Sequence, residues 1–303
     1  MPRLRIPEST RRKVSALVVN IGSEFIYGGH LLALGTSSIA AFCAMLLGRI
    51  PSIQLLAMAY LFSYGAYSMN RALELDQDAL SNPQRTRYLS RRKRYIPAIT
   101  ASCFGLGYIL AFLSNVPFFL ALLIPLVLSV AYSVGSKKLL LPLLGAKRLK
   151  EKLLVKNITI SLGWSLIPVL VGLYYQQVGI ILFALGVFVF LRLFVNTVFF
   201  DERDVKGDIA SGVRTMPIAL GIRKTNFVLN LVDFSSAAYG VFLITIDLLP
   251  IYSIVILALP AYSMAYRWLS TRKQGSMNLL CDIVGDGEYL LWGVLLLLGR
   301  VII

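Results

Sequence analysis

The 303 residues are 57% hydrophobic and only 15% charged, with 30 Lys and Arg against 15 Asp and Glu and a net charge of +15. Soluble domains run near half apolar with about a quarter charged, so this balance and a mean hydropathy of +0.73 exclude an ordinary soluble domain and define a polytopic membrane protein. The bilayer is therefore a partner, and nucleic acid is discounted because the basic residues follow the loops rather than one face.

The N-terminal stretch "MPRLRIPESTRRKVSALVV" is basic but has no short apolar core followed by a small-residue cleavage site, so no removable signal peptide is expected. Val14 to Tyr27 is short and carries Glu24; it reads as an amphipathic helix lying at the interface. Runs of about 20 apolar residues, the length needed to cross roughly 30 Å of hydrocarbon, then follow near 28–48, 53–71, 95–113, 115–134, 153–174, 178–199, 226–246, 250–267 and 284–303. Cys43, Cys103, Cys281 and the single His30 lack disulfide or zinc spacing and read as buried packing residues. Gly105, Gly107, Gly163 and Gly172 read as points of close helix approach.

Lys and Arg are retained on the cytoplasmic side of short loops. Five lie in 1–15, seven in 71–94, seven in 135–156, five in 201–224 and three in 266–285, while the alternate loops hold almost none. That alternation implies nine spans with the N-terminus in the cytoplasm. Lys150, Lys152 and the run Arg91 to Arg94 read as topological charges of this kind.

Against this background the acids are concentrated: Glu74, Asp76 and Asp78 end the second span, and Asp201, Glu202, Asp204 and Asp208 end the sixth, facing the same compartment. If each span continues helically, Asn70, Glu74 and Asp78 share one face, and so do Asp201, Asp204 and Asp208. Asp76 and Glu202 fall off those faces and are expected to pair with local arginines or hold the loops. Glu74 and Asp204 are 130 positions apart, as are Asp78 and Asp208; the equal offset implies a duplicated four-helix unit. The expected fold is all-α: a single domain over 1–303, built as a bundle of nine transmembrane helices in two similar halves (about 14–134 and 153–267) plus one.

Two facing carboxylate sets repel unless a cation lies between them. Oxygen ligands with few carboxylates per ion suit Mg²⁺, which completes its shell with water and substrate phosphate, so the pattern asks for a phosphorylated substrate. Arg192, buried in the sixth span one turn before Asn196, must also pair, and the acidic cluster or the substrate is the expected partner. The connections "SNPQRTRYLSRRKR" and "SVGSKKLLLPLLGAKRLKEK" are long for a bundle. They are expected to form short cytoplasmic cap helices that order when substrate binds.

The segments "NRALELDQD" (70–78) and "DERDVKGD" (201–208) resemble the motifs NDxxDxxxD and DxxDxxxD of the UbiA-type intramembrane prenyltransferases. The segments "NPQRT" (82–86), "YSVGSKK" (132–138), "LKEKLLVKNITISLGW" (149–164) and "GVRTMPIALG" (212–221) are similar to further stretches of that family. Arg71 stands where the family often has an acid, and Glu74 replaces an Asp.

The resemblance implies Mg²⁺-dependent transfer of a prenyl group from an isoprenyl diphosphate, for example geranylgeranyl diphosphate, to a lipophilic acceptor. That acceptor would be an aromatic quinone precursor or the hydroxyl of a prenylglyceryl phosphate. The metal ligands would be Asn70, Glu74, Asp78, Asp201, Asp204 and Asp208. Arg85, Lys137, Lys138, Lys156 and Arg214 would surround the diphosphate, with Tyr132 shielding the allylic cation and Arg85, Lys137 and Lys156 assisting its formation. Two other readings remain: a carrier of an anionic metabolite, and a non-catalytic homologue that binds prenyl lipids.

Overall fold

The computed structural model describes residues 20–73, 75–127, 154–272 and 276–303, and of Asp76 and Gln77 the backbone only. Its regular elements are helices. The first part comprises α1 (Asn20–Tyr27), α2 (His30–Leu46), α3 (Ile53–Leu73), α4 (Leu75–Ser81), α5 (Pro83–Ser90), α6 (Ile96–Phe112) and α7 (Val116–Ala121). The second comprises α8 (Val155–Ser165), α9 (Ile167–Tyr174), α10 (Ile180–Ala210), α11 (Met216–Leu220), α12 (Ile222–Thr245), α13 (Ala258–Thr271) and α14 (Asp286–Ile302). A 3-10 stretch, Ile251–Leu257, leads into α13, and a π-helical stretch, Leu280–Gly285, leads into α14.

The polarity of α12 is inverted relative to a soluble helix. Asn226, Leu229, Asp233, Ser236 and Gly240 are buried, while Phe227, Leu231, Phe234 and Phe242 are exposed. An apolar face turned outward beside a polar face turned inward is the pattern that lipid selects. Among the described residues, Val155–Tyr174, Ile180–Ala210 and Ile222–Thr245 are long and apolar enough to cross a membrane, and α1 with α2 makes a fourth if the bent pair is one span. The protein is an integral membrane protein.

α1 meets α2 at 53°, and Gly29 at the bend has φ 94°, a left-handed conformation that costs glycine little. The main core lies where α2, α10 and α14 meet. There the indole of Trp292 packs edge-on against Phe42 and Phe188, with ring centroids 5.2 and 5.6 Å away. Close approach is secured by Gly35 and Gly293, where a Cβ would come within 2.6 Å of Tyr289 Cβ and 2.8 Å of Ser38 Oγ.

The sixth predicted span is longer than its apolar run. α10 has 31 residues, about 46 Å at 1.5 Å per residue, so the helix leaves the hydrocarbon still wound and carries the second acidic motif with it. The fifth span is interrupted at Leu166, before Pro168, whose ring cannot extend the helix behind it. The connection 81–94 after the second span does form a short helix, α5 (Pro83–Ser90); the other long connection, 133–152, lies outside the described residues, as do Lys150 and Lys152.

Several expectations are corrected. Cys43, Cys103 and Cys281 are buried free thiols as read, but His30 is only half-buried. It stacks on Tyr64 at 4.6 Å and hydrogen-bonds to Tyr60 and Glu24, because the bend at Gly29 brings α1 over α3. Gly107 and Gly172 do sit in tight contacts, whereas among the described residues a Cβ at Gly105 or Gly163 would meet nothing within 4 Å. Arg192 pairs with neither the acidic motifs nor a substrate position: its guanidinium donates to Asp233 and, at 2.5 Å, to Glu288. Among the described residues Glu202 has no local arginine partner; it accepts from Asn226 Nδ2 of α12 at 2.8 Å.

Candidate active site

The register of α10 sets one wall. Thr197, Asp201, Asp204 and Asp208 step by four, three and four residues, so they fall on one helical face, and all four line a polar cavity of about 130 Å³. Asn70 and Arg71, at the end of α3, and Asp78 and Ser81, on α4, form the opposite wall, and Lys156 of α8 closes a third side. Glu74, between α3 and α4, is outside the described residues. Residues from the two motifs, 130 positions apart in sequence, thus share one cavity.

Each carboxylate there is matched by a cation. Asp78 Oδ2 accepts from Arg71 at 2.8 Å and from Arg85 at 3.3 Å. Burial alone would raise the Asp78 pKa; the two guanidiniums outweigh it and hold the carboxyl below its usual range. Asp201 is fully buried and accepts from Lys156 Nζ at 2.7 Å and Asn157 Nδ2 at 2.8 Å. The same ammonium lies 3.7 Å from Asp208. Asp204 accepts both prongs of Arg203, at 2.8 and 2.9 Å.

The π-helical stretch before α14 presents Asp282, whose carboxylate accepts from Asn82 at 2.6 Å, Arg85 at 2.9 Å and Arg203 at 2.8 Å. One buried acid therefore ties α5, next to the first motif, to α10, which carries the second. π-Helical turns recur at functional sites because the extra residue re-aims a side chain.

A larger and mainly apolar chamber of about 400 Å³ adjoins this cavity. Met58, Phe62, Leu122, Leu170 and Trp164 are among its walls, and Asn70, Arg71, Ile160, Thr197 and Phe200 line both spaces. Gly163 also borders the chamber, where its missing side chain leaves room.

Of the residues expected from sequence, Asn70, Asp78, Asp201, Asp204, Asp208 and Lys156 are brought to the polar cavity. Arg85, 1% exposed, sits behind Asp78 rather than at the lining, and Arg214 is exposed beside Val213 without lining it. Tyr132, Lys137 and Lys138 lie outside the described residues. Arg71, Arg203, Asp282 and Asp286 were not singled out for the site from sequence. Arg203 sits inside the second motif and Arg71 beside Asn70, while Asp282 and Asp286 repeat the four-residue step of the motifs at the start of the last span.

The donor set at the cavity is one amide oxygen and four carboxylates, hard ligands that fit Mg²⁺. Among the described residues, no three acids, histidines or cysteines are already gathered at ligating distance; the carboxylates are held by Arg and Lys instead. A cavity in which the carboxylates already have cationic partners can take a metal together with an anionic ligand, because the arginines and lysine can give their N–H bonds to that ligand.

Fold and site define an intramembrane helical protein whose apolar chamber opens onto an acidic, cation-braced cavity. Residues 25–278 match the UbiA prenyltransferase family, and the chain belongs to that family. It is 32% identical over 182 residues to a digeranylgeranylglyceryl phosphate synthase of Methanothermobacter thermautotrophicus, covering 59% of this chain and 60% of that protein. It is 27% identical over 184 residues to the enzyme of the same name from Sulfurisphaera tokodaii, covering 59% and 62%. The matches thus span less than two thirds of either relative. The structure of a UbiA homolog from Archaeoglobus fulgidus bound to GPP and Mg²⁺ superposes with a TM-score of 0.64 at 17% identity, over 90% of this chain and 98% of that one. A digeranylgeranylglyceryl phosphate synthase structure gives 0.56 at 15% identity, over 92% and 95%. At these identities the structural likeness is one of fold.

Proposed function

We propose that this protein is a Mg²⁺-dependent prenyltransferase that moves an isoprenyl group, such as geranylgeranyl, from its diphosphate to the free hydroxyl of a prenylglyceryl phosphate, releasing pyrophosphate. The observation that carries this reading is the confluence of the apolar chamber with the polar cavity. A substrate with a greasy tail and a polyanionic head needs both environments in contact. The names of the two curated relatives favour a glyceryl hydroxyl over an aromatic ring as acceptor. The acidic motifs lie on cytoplasmic ends by the distribution of Lys and Arg, in a single domain of nine crossings formed from two similar four-helix halves and one further helix.

Asn70, Asp78, Asp201, Asp204 and Asp208, with Glu74, would hold the metal, which supplies positive charge against the diphosphate and its developing leaving-group charge. Arg71, Arg203 and Lys156 line the cavity with N–H groups now given to carboxylates, and they pass those bonds to diphosphate oxygens as the head enters. Arg85 keeps Asp78 in place from behind. By the resemblance, Lys137, Lys138 and Arg214 would add positive charge for the diphosphate, and Tyr132 would offer an electron-rich face to the allylic cation. The apolar walls exclude water, so the cation meets the acceptor before it is hydrolysed.

The test is incubation of purified protein with geranylgeranyl diphosphate and a prenylglyceryl phosphate, with product ether and pyrophosphate measured with and without chelator. Metal-dependent, equimolar formation of both is expected. Metal-dependent donor binding without turnover would make the protein a lipid-binding homologue, and binding indifferent to metal would move the reading to a carrier.

A further inference from the structure

Asp286 opens α14 and is 7% exposed, yet it lines the apolar chamber and not the polar cavity. It is the one carboxylate among the described residues lining that chamber. Its position is fixed from behind: Asn196 Nδ2 donates to Gly285 O at 3.1 Å, and a Cβ on Gly285 would come within 2.6 Å of the Phe200 ring, so the preceding turn is pressed against α10. Phe200, Asn70 and Arg71 line both spaces, which puts the junction of chamber and cavity on the same stretch of wall. Its neighbour in the π-helical lead-in, Asp282, is saturated by Asn82, Arg85 and Arg203, whereas no side-chain donor lies within hydrogen-bonding distance of Asp286 among the described residues.

A buried carboxylate facing an apolar space is costly unless something arrives to bond it. The polar head of the diphosphate cannot be that group, because it is an anion. A neutral hydroxyl can.

We propose that Asp286 is a catalytic residue that accepts the proton of the acceptor hydroxyl, an inference that rests on the reading of the protein as a prenyltransferase to an alcohol. In the step, the bond from C1 of the prenyl chain to the diphosphate oxygen breaks with its electron pair on pyrophosphate. A lone pair of the hydroxyl oxygen forms the new C–O ether bond to C1, and the hydroxyl proton passes to the Asp286 carboxylate, which returns it to solvent when the products leave. An alcohol is not acidic enough to lose its proton without such a base, and a positioned base contributes roughly 10²–10⁴-fold. Alignment against an aromatic ring would also need a base, but at a ring carbon and after C–C bond formation.

The experiment compares the intact chain with Asp286→Asn and Asp286→Glu in detergent, given geranylgeranyl diphosphate and prenylglyceryl phosphate. It measures metal-dependent donor binding, pyrophosphate released, ether formed and prenyl alcohol formed. The ratio of ether to pyrophosphate is taken per turnover and does not depend on how much of a variant folds. In Asp286→Asn, donor binding is expected to stay within about twofold, ether to fall about 100-fold or more, and pyrophosphate release to continue with prenyl alcohol as product. Asp286→Glu restores part of the ether. Ether and pyrophosphate still equimolar in Asp286→Asn, or a loss confined to donor binding, would overturn the proposal and leave Asp286 as a counter-charge to Arg71 and Arg203. Absence of ether from the intact chain would instead overturn the prenyltransferase reading itself.

Discussion

Two ionic clusters sit side by side in this bundle, built from the same residue types and doing different things. Around Asp78, Asp201 and Asp204 the ion pairs surround an opening. Around Arg192 they do not: Arg192 and Arg267 donate to Asp233, Arg192 also reaches Glu288 at 2.5 Å and Leu259 O at 3.1 Å, and the four charged side chains are at most 2% exposed. Ser263 and Tyr266 complete the sealed cluster with bonds to Asp233 and Glu288 at 2.8 and 3.2 Å. Two guanidiniums facing two carboxylates pin α10, α12, α13 and α14 together. The lesson is that burial of charge in a membrane protein marks a site only where the charges border space; where they border each other, they specify packing.

That contrast can be broken most severely at Arg192. Arg192→Leu removes a guanidinium from two fully buried acids, and breaking a buried pair in this way costs about 3–5 kcal/mol. Reversible unfolding in mixed micelles should show that loss, with metal-dependent donor affinity of the folded fraction unchanged. Asp204→Asn should do the opposite. Arg203 keeps Asp282 at 2.8 Å, so stability should barely move, while turnover falls about 10²–10³-fold, the usual effect of deleting one group that stabilises developing charge. A large loss of stability in Asp204→Asn would show that the open cluster is structural like the sealed one. The smallest effect is expected from Tyr266→Phe, which removes a neutral donor from Glu288 and leaves its arginine: about 0.5–1.5 kcal/mol in the same unfolding assay, with no kinetic phenotype.

The helical class and the acidic residues of the polar wall were legible because they depend on local patterns. Apolar run length marks spans, and a step of three or four residues puts Asp201, Asp204 and Asp208 on one face wherever α10 goes. Lys156 was found because it lay in a recognisable stretch. The partner of Arg192 was not legible, since Asp233 and Glu288 are 41 and 96 positions away and nothing in their local sequence points to α10. Arg85 and Arg214 looked alike as basic residues near motifs, yet one is buried against Asp78 and Asp282 and the other is exposed.

Sequence by itself determined that this chain lives in a bilayer as a helical bundle and carries two acidic faces of matching spacing, because hydropathy and helical periodicity are properties of neighbouring residues. Only the tertiary structure decided which charges border an opening and which are sealed, because that depends on helices distant in the chain. It placed Arg71 and Arg203 at the cavity, let Asp282 tie α5 to α10, turned Asp286 toward the apolar chamber, and gave Arg192 to Asp233 and Glu288.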